Sequence, residues 1–161
     1  MFDEEHVEGL AALEKVLDQL PEKLQRNVIR GGLRAGGKVF VSEARRRVSV
    51  KTGELRNSIR ISSIRKTRTG GLLALIKAGN KKAWYPHLVE FGTRAHMVKP
   101  VNAKALAIAG QAVEKVRHPG AGAHPFMRPA FDIGARGAIT AYAAYIRRRL
   151  TKAGIETLTE D

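Results

Sequence analysis

The sequence contains no cysteine. This excludes disulfide bonds, thiolate catalysis and cysteine-ligated zinc, and it is typical of proteins from a reducing compartment. No run of about 18 apolar residues is present, so the sequence predicts no membrane-spanning helix. The first residues, Met1 to Glu5, are acidic and lack the basic-then-apolar pattern of a secretory signal. These absences predict a protein that is made in the cytosol.

Motifs of the common active sites are also missing. The chain has no Gly-x-Gly-x-x-Gly, no phosphate-binding Gly-Lys-Ser/Thr and no serine in a nucleophile elbow. His87, Glu90 and His96 carry side chains that can bind zinc or transfer protons, but their spacing matches no compact metal motif. We therefore predict a protein that is not an enzyme and has no cofactor or metal. A metal-dependent hydrolase built on these three residues is the alternative.

Negative charge is scarce in the body of the chain. The sequence has 29 Lys and Arg against 15 Asp and Glu, a net charge of +14. Residues 1–22 carry −6 and residues 156–161 carry −3, so the residues between them carry +23. A basic body with acidic ends can pair end to body between neighbouring copies, face a polyanion, or do both.

Arginine clusters in two places favour a nucleic-acid partner. Nine cations fall within residues 45–68, and Arg147 to Arg149 with Lys152 close the last predicted helix. Such clusters can neutralise phosphates. However, the chain has no helix-turn-helix, zinc-finger or RNP pattern, and aromatic residues make up only 6% of it. The alternative function is therefore a basic nucleic-acid-binding protein without sequence-specific readout.

The order of predicted elements is helix, helix, strands, helix, which indicates the α+β class. We expect a mostly antiparallel sheet of about four strands, packed against a long helix in the N-terminal half and a long C-terminal helix. The expected organisation is an acidic helix within 1–21, one α+β domain over 22–153 and a frayed acidic tail over 154–161. The expected elements are helices over 4–19, 22–47 and from Pro125 or Pro129 to Lys152, one helical turn over 52–58, and strands over 59–65, 72–78, 105–109 and 112–116.

Four glycines interrupt the predicted second helix. Each costs a helix interior about 1 kcal/mol relative to alanine. Gly31, Gly32, Gly36 and Gly37 therefore indicate either close packing against another element or a break in the helix. The last helix has its own line of small residues, which is suited to such an approach, and a line of bulkier residues from Phe131 to Tyr145 expected in the core.

Three short motifs punctuate the chain. We call them motif 1 (residues 52–59), motif 2 (residues 85–93) and motif 3 (residues 124–130). Motif 1 reads Thr52-Gly53-Glu54-Leu55-Arg56-Asn57-Ser58-Ile59, motif 2 reads Tyr85-Pro86-His87-Leu88-Val89-Glu90-Phe91-Gly92-Thr93, and motif 3 reads His124-Pro125-Phe126-Met127-Arg128-Pro129-Ala130.

Together and in this order, the three motifs resemble the neck or tail-completion family of long-tailed bacteriophages, which includes the minor tail component Z of lambda-like phages. The resemblance covers about residues 20–152. It implies a structural role at the joint between head and tail. Copies would form part of a ring, with six copies expected, that makes the tail competent to join the head and lets DNA pass through its lumen.

The resemblance also implies partners and a location. The partners would be further copies of the chain (an isolated copy could be a monomer), head-completion or connector proteins, the tail terminator or tail tube protein, and phage DNA held without sequence specificity. The location would be the neck or tail of the virion, assembled in the bacterial cytoplasm. The interface candidates are Thr52, Gly53, Leu55, Arg56, Ser58, Tyr85, Glu90, Phe91, Gly92, Thr93, Pro125, Phe126, Arg128 and Pro129.

The motif residues carry physical expectations of their own. Gly53 and Gly92 suit positions with positive φ or close backbone approach. Glu90 lies between apolar neighbours and would need a partner if buried, for which Arg56, Arg94 and Arg128 are candidates. It could fix its own loop or bridge two subunits. In motif 3, Phe126 and Pro129 are expected to anchor the last helix in the core.

Overall fold

The computed structural model describes residues 10–49 and 51–152. Its elements are α1 (Leu10–Asp18), α2 (Glu22–Arg47), α3 (Glu54–Ser58), β1 (Arg60–Lys66), β2 (Leu72–Lys77), α4 (Pro86–Phe91), β3 (His96–Val98), β4 (Leu106–Ile108), β5 (Gln111–Val113), β6 (Val116–His118) and α5 (Met127–Lys152). The α+β prediction is confirmed, as are the two long helices. The start of the predicted first helix and the predicted frayed tail lie outside the described residues.

The two long helices pack against each other along their whole length. Gly31 of α2 lies against Tyr145 of α5, and Gly36 lies against Ala138, so the helices run antiparallel. A Cβ placed on Gly36 would stand 2.8 Å from the carbonyl oxygen of Ala138. Gly31, Gly32 and Gly36 therefore mark a close helix crossing, whereas Gly37 lies against Ile61 of β1. α2 is one continuous helix through all four glycines.

A hydrophobic cluster lies at the end of this helix pair where α2 begins and α5 ends. Leu13 and Leu17 of α1 are buried against Val28 of α2 and against Ile146 and Leu150 of α5. The spacing of Leu13 and Leu17 places both side chains on one face of α1. This cluster holds α1 on the helix pair. None of the described helices is both long and apolar enough to span a bilayer.

The described strands form three separate antiparallel pairs and not a single sheet. β1 pairs with β2, β3 with β6 and β4 with β5. β4 and β5 are joined by Ala109 and Gly110, whose φ angles of 50° and 81° suit a two-residue hairpin turn. β3 lies outside the four strands expected from the sequence. Three-residue strands carry too little alternation for their pairing to be predicted from sequence.

A junction of the three motifs

Motif 1 forms a tight turn and a short helix that bury Leu55, Ser58 and Ile59. Gly53 precedes α3 with φ of 79°, a left-handed conformation that glycine adopts without steric cost. Leu55 is buried, and the buried Ser58 hydroxyl donates to the carbonyl of Leu55 at 2.6 Å. The same hydroxyl accepts the backbone N–H of Gly79 at 2.8 Å. Ser58 therefore ties motif 1 to the chain that follows β2.

Two arginines complete this attachment. Arg60 donates to the carbonyl oxygens of Ser58 and Gly79, at 2.8 and 2.7 Å. Arg45, near the end of α2, donates to the carbonyl of Ile59 at 2.8 Å. Motif 1 is thus fixed on two sides by charged hydrogen bonds to backbone carbonyls, which are stronger than neutral ones. In the sequence, Arg45 and Arg60 stand out only as members of a basic cluster, which carries no signal for this bonding.

Glu90 of motif 2 joins that motif to the start of α5. Its carboxylate accepts the backbone N–H groups of Phe126, Met127 and Arg128 at 2.8, 2.9 and 3.1 Å. These N–H groups begin the last helix and have no partner within it, and the helix dipole favours a negative charge there. The expected arginine partner is thus replaced by backbone donors, although the Arg128 charge contributes. Glu90 fixes α4 to α5 within one chain.

The protonation of Glu90 follows from this environment. Burial alone would raise the pKa of its carboxyl group, because it disfavours the charged form. The three backbone hydrogen bonds and the positive charge of Arg128 act in the opposite direction and outweigh burial. The pKa of Glu90 therefore lies below its ordinary value, and the group is a carboxylate at neutral pH.

The end of motif 2 pairs with the segment that leads into motif 3. Thr93 and Ala121 exchange backbone hydrogen bonds of 2.9 and 3.1 Å, and the Thr93 hydroxyl also accepts from the N–H of Ala121. Gly92 has φ of 70°, and a Cβ at this position would stand 2.5 Å from the Ala121 carbonyl oxygen. Close backbone approach explains why glycine is needed here. Gly120, which lies outside the three motifs and was not predicted as a site residue, meets Thr93 in the same way.

One hydrophobic cluster connects all three motifs. Leu55 and Ile59 of motif 1 and Phe126 and Ala130 of motif 3 are buried together, and Tyr85 and Val89 of motif 2 pack against them. Phe126 is only 1% exposed, so it anchors α5 as expected. Pro129 is half-buried. We call this assembly, motifs 1 to 3 with their shared cluster and hydrogen bonds, the motif junction.

On its outer side, the motif junction presents aromatic surface. Phe91 is 76% exposed at the end of α4, and Phe131 is 49% exposed and stacks on Phe40 at 5.1 Å between ring centroids. A shallow depression of about 530 Å³ lies here, which we call the aromatic depression; its lining includes Pro86, His87, Phe91, Met127 and Phe131. Phe131 was expected in the core, and its exposed ring instead adds to this surface.

A second surface feature lies beside motif 1. This groove has a volume of about 750 Å³ and runs between α2 and β1. We call it the basic groove; its cations are Arg34, Lys38, Arg45, Arg46, Arg56 and Arg60. Arg56 is therefore the motif 1 residue that faces this groove, while Thr52, Pro125 and Arg128 lie exposed elsewhere on the motif junction.

The residues considered for a metal-dependent hydrolase are engaged separately. Glu90 binds the start of α5, and His96 on β3 stands beside His118 on β6, with 5.2 Å between ring centroids. Over residues 10–49 and 51–152, no three histidine or acidic side chains come together in a way that could hold a metal ion. The hydrolase alternative therefore gains no support from the geometry.

Comparison with known proteins gives one family. The model of the family described as "Bacteriophage HK97-gp10, putative tail-component" matches residues 11–92, which run from α1 through motif 1 to Gly92 of motif 2. Neither a curated protein nor a solved structure gives a significant match. The matched residues cover half of the chain, with all of motif 1 and motif 2 up to Gly92, so the chain belongs to the HK97-gp10-like family of bacteriophage tail components.

Proposed function

We propose that this tail component acts at the head-proximal end of the tail, where copies form part of a ring that makes the tail competent to join the head and lets DNA pass. The motif junction carries this proposal. It combines motifs that are far apart in sequence into one fixed unit and leaves an exposed aromatic surface on the outside. Such a surface, built on a rigid support, suits protein–protein docking.

The exposure of Phe91 is the observation that supports a docking role most directly. A large aromatic ring that is 76% exposed contributes little to the fold of one chain. Its position is nevertheless fixed, because Glu90 on one side and Gly92 with Thr93 on the other bind the segment before and at the start of α5. An exposed aromatic side chain on a fixed backbone, beside a depression, is suited to become the buried anchor of an interface. We infer that the aromatic depression receives a neighbouring copy or a head-completion protein.

The first test is genetic. Phage lacking this gene should produce tails of normal length that fail to join DNA-filled heads, as seen by electron microscopy. Normal infectious particles would refute the proposal.

The second test concerns the surface. Complementation with Phe91→Ala should reduce joined particles by at least about tenfold, since a hot-spot aromatic contributes about 2 kcal/mol or more to an interface. The isolated variant should unfold like the wild type. Val101→Ala is the matched control, because Val101 is 92% exposed but lies outside the motifs. Equal particle yields from both variants would exclude Phe91 from the docking surface.

A further inference from the structure

We propose that the basic groove binds residues 155–161 of a second copy of the chain, which add to the free edge of β1 as an extended strand. The inference rests on the proposed function, because it names a contact through which neighbouring copies join. It concerns a different surface from the aromatic depression and can fail independently of it.

The wall of the groove is a strand edge. Five consecutive residues, Arg60 to Ile64, line it. Since successive side chains of a strand point to opposite faces, a groove bordered by consecutive residues follows the edge of the strand and not one face. β2 is the only strand paired with β1 in the described part of the chain. The pairing of β1 with β2 is irregular between Ile61 and Ser63, which lie in the middle of the part of β1 that lines the groove.

The opposite wall supplies uncompensated positive charge. None of the groove residues is acidic. Arg46 pairs with Glu43 of its own helix, and Arg45 and Arg60 bond backbone carbonyls. Within the described residues, Arg34, Lys38 and Arg56 have no carboxylate within ion-pair distance. Like charges so close together repel unless an anion lies between them.

The strand edge distinguishes a peptide from a nucleic acid. A free edge presents N–H donors and C=O acceptors in turn, and another peptide strand can pair with both. Phosphates are only acceptors, so a nucleic-acid backbone would leave the carbonyls unpaired. No aromatic side chain lines the groove to stack bases. The groove therefore fits an acidic peptide in extended conformation.

Residues 155–161 have the required composition. They read Ile-Glu-Thr-Leu-Thr-Glu-Asp, with three acids and with β-branched residues that favour strands. In a strand, Glu156 and Glu160 would share one face about 13 Å apart. Arg34 and Arg45 are separated by about 16 Å along α2, a comparable span.

The geometry favours residues 155–161 of a neighbouring copy over the same residues of the chain that carries the groove. The end of α5 lies beside the start of α2, where Leu150 and Lys152 meet Leu20 and Leu24. From Leu24 to the groove cations is about 15 to 33 Å along α2. The nine residues after Lys152 span at most about 30 Å. Only the last of these residues could enter the groove, because the two residues between Lys152 and Ile155 span at most about 7 Å. Residues 155–161 of a second copy have no such limit and could lie along the whole groove.

Three full-length variants test the proposal by sedimentation equilibrium at low salt, about 20 mM NaCl. The groove variant is Arg34→Ala with Lys38→Ala and Arg56→Ala, and the tail variant is Glu156→Gln with Glu160→Gln and Asp161→Asn. The charge-matched control for the groove variant is Lys81→Ala with Lys99→Ala and Lys104→Ala, at exposed positions outside the groove.

The wild type should self-associate, and the groove and tail variants should each do so at least about tenfold more weakly. An equimolar mixture of these two variants should associate again, since one supplies an intact segment and the other an intact groove. The control should associate like the wild type. The double substitution Thr157→Pro with Leu158→Pro keeps the charge but removes two successive backbone donors, one of which faces β1 in either register, and it should weaken association.

A mixture that stays monomeric, or a control as weak as the groove variant, would overturn the inference. Wild-type association of the double proline variant would also overturn it, because charge alone would then suffice. Binding of labelled duplex DNA tests the competing occupant. If the groove variant loses DNA binding while the tail variant still self-associates like the wild type, the groove binds nucleic acid and not the acidic segment. Because these measurements use purified protein, their failure leaves the head-joining test unaffected.

Discussion

At the scale of single residues, Glu90 does most to connect the site with the fold. The sequence shows an acid between two apolar residues in a basic chain, which predicts a partner but not its kind. The structure supplies three backbone N–H groups from a helix 36 to 38 residues away. Local sequence contains no signal for such a partner, because helix N-termini expose the same backbone donors whatever their residues are.

Replacing Glu90 by glutamine keeps an acceptor but removes the charge. We expect Glu90→Gln to lower the free energy of unfolding at pH 7 by about 1 kcal/mol, the difference between a charged and a neutral hydrogen-bond acceptor at a helix start. Urea denaturation measures this. The matched control is Glu114→Gln, an exposed acid, which should leave stability within about 0.5 kcal/mol of the wild type.

The pH dependence of this difference has a definite sign. The pKa of Glu90 is lowered in the folded state. Its stabilising contribution is therefore complete above the unfolded pKa of about 4.3 and is lost as the pH falls through the lower folded value. The stability gap between wild type and Glu90→Gln should be constant from about pH 7 to 5 and close below about pH 4. A gap that widens on acidification would contradict this account.

At the scale of elements, the antiparallel crossing of α2 and α5 organises the molecule. Its contacts are small residues of one helix against rings or backbone of the other, such as Gly32 against Tyr142 and Gly134 against Phe40. Close approach of two backbones increases dispersion contacts and buries the middle of both helices. The motif junction stands at one end of this pair and the α1 cluster at the other.

Two glycine-to-alanine changes at this crossing should have opposite effects. Gly36→Ala places a Cβ 2.8 Å from the Ala138 carbonyl oxygen, so the helices must separate, and we expect a loss of about 1–3 kcal/mol. Gly137→Ala brings its Cβ no nearer than 3.5 Å to Val39, an ordinary contact. This variant should gain about 0.5–1 kcal/mol from helix propensity. Thermal or urea unfolding measures whether each variant gains or loses stability. A Gly36→Ala variant as stable as the wild type would contradict the tight crossing.

Sequence patterns predicted the bounds of the long helices better than the residues on which these helices pack. The 3.6-residue periodicity and the prolines located α2 and α5 closely, since these signals are local. The four glycines left packing and a break equally open, because only the neighbouring helix decides between them. Phe131 was expected in the core, yet its ring lies on the surface against Phe40. The motif junction was predictable only as three separate motifs, since Leu55 and Phe126 are 71 residues apart and meet only in the folded chain.

At the scale of the whole molecule, charge is unevenly distributed between the described and the remaining residues. All 29 Lys and Arg lie within residues 10–49 and 51–152, together with only eight of the 15 acids. Among these acids, Glu22, Glu43 and Glu54 form ion pairs, and the Arg26–Glu22 and Lys82–Glu54 pairs are largely exposed. Exposed pairs contribute little to stability. The folded body therefore retains strong self-repulsion, which dissolved ions or acidic segments can reduce.

This repulsion predicts that salt stabilises the dilute protein. Raising NaCl from about 10 to 150 mM shortens the Debye length from about 30 to 8 Å and screens the cations from one another. We expect the free energy of unfolding to rise by on the order of 1 kcal/mol, or about 2–4 °C in Tm. Low protein concentration keeps self-association from contributing, since assembly would itself stabilise the fold at low salt. The variant Lys81→Gln with Lys99→Gln and Lys104→Gln should respond less, because it has fewer charges to screen. A Tm that falls over this range would mean that attraction between the acidic and basic parts of one chain outweighs the repulsion within its body.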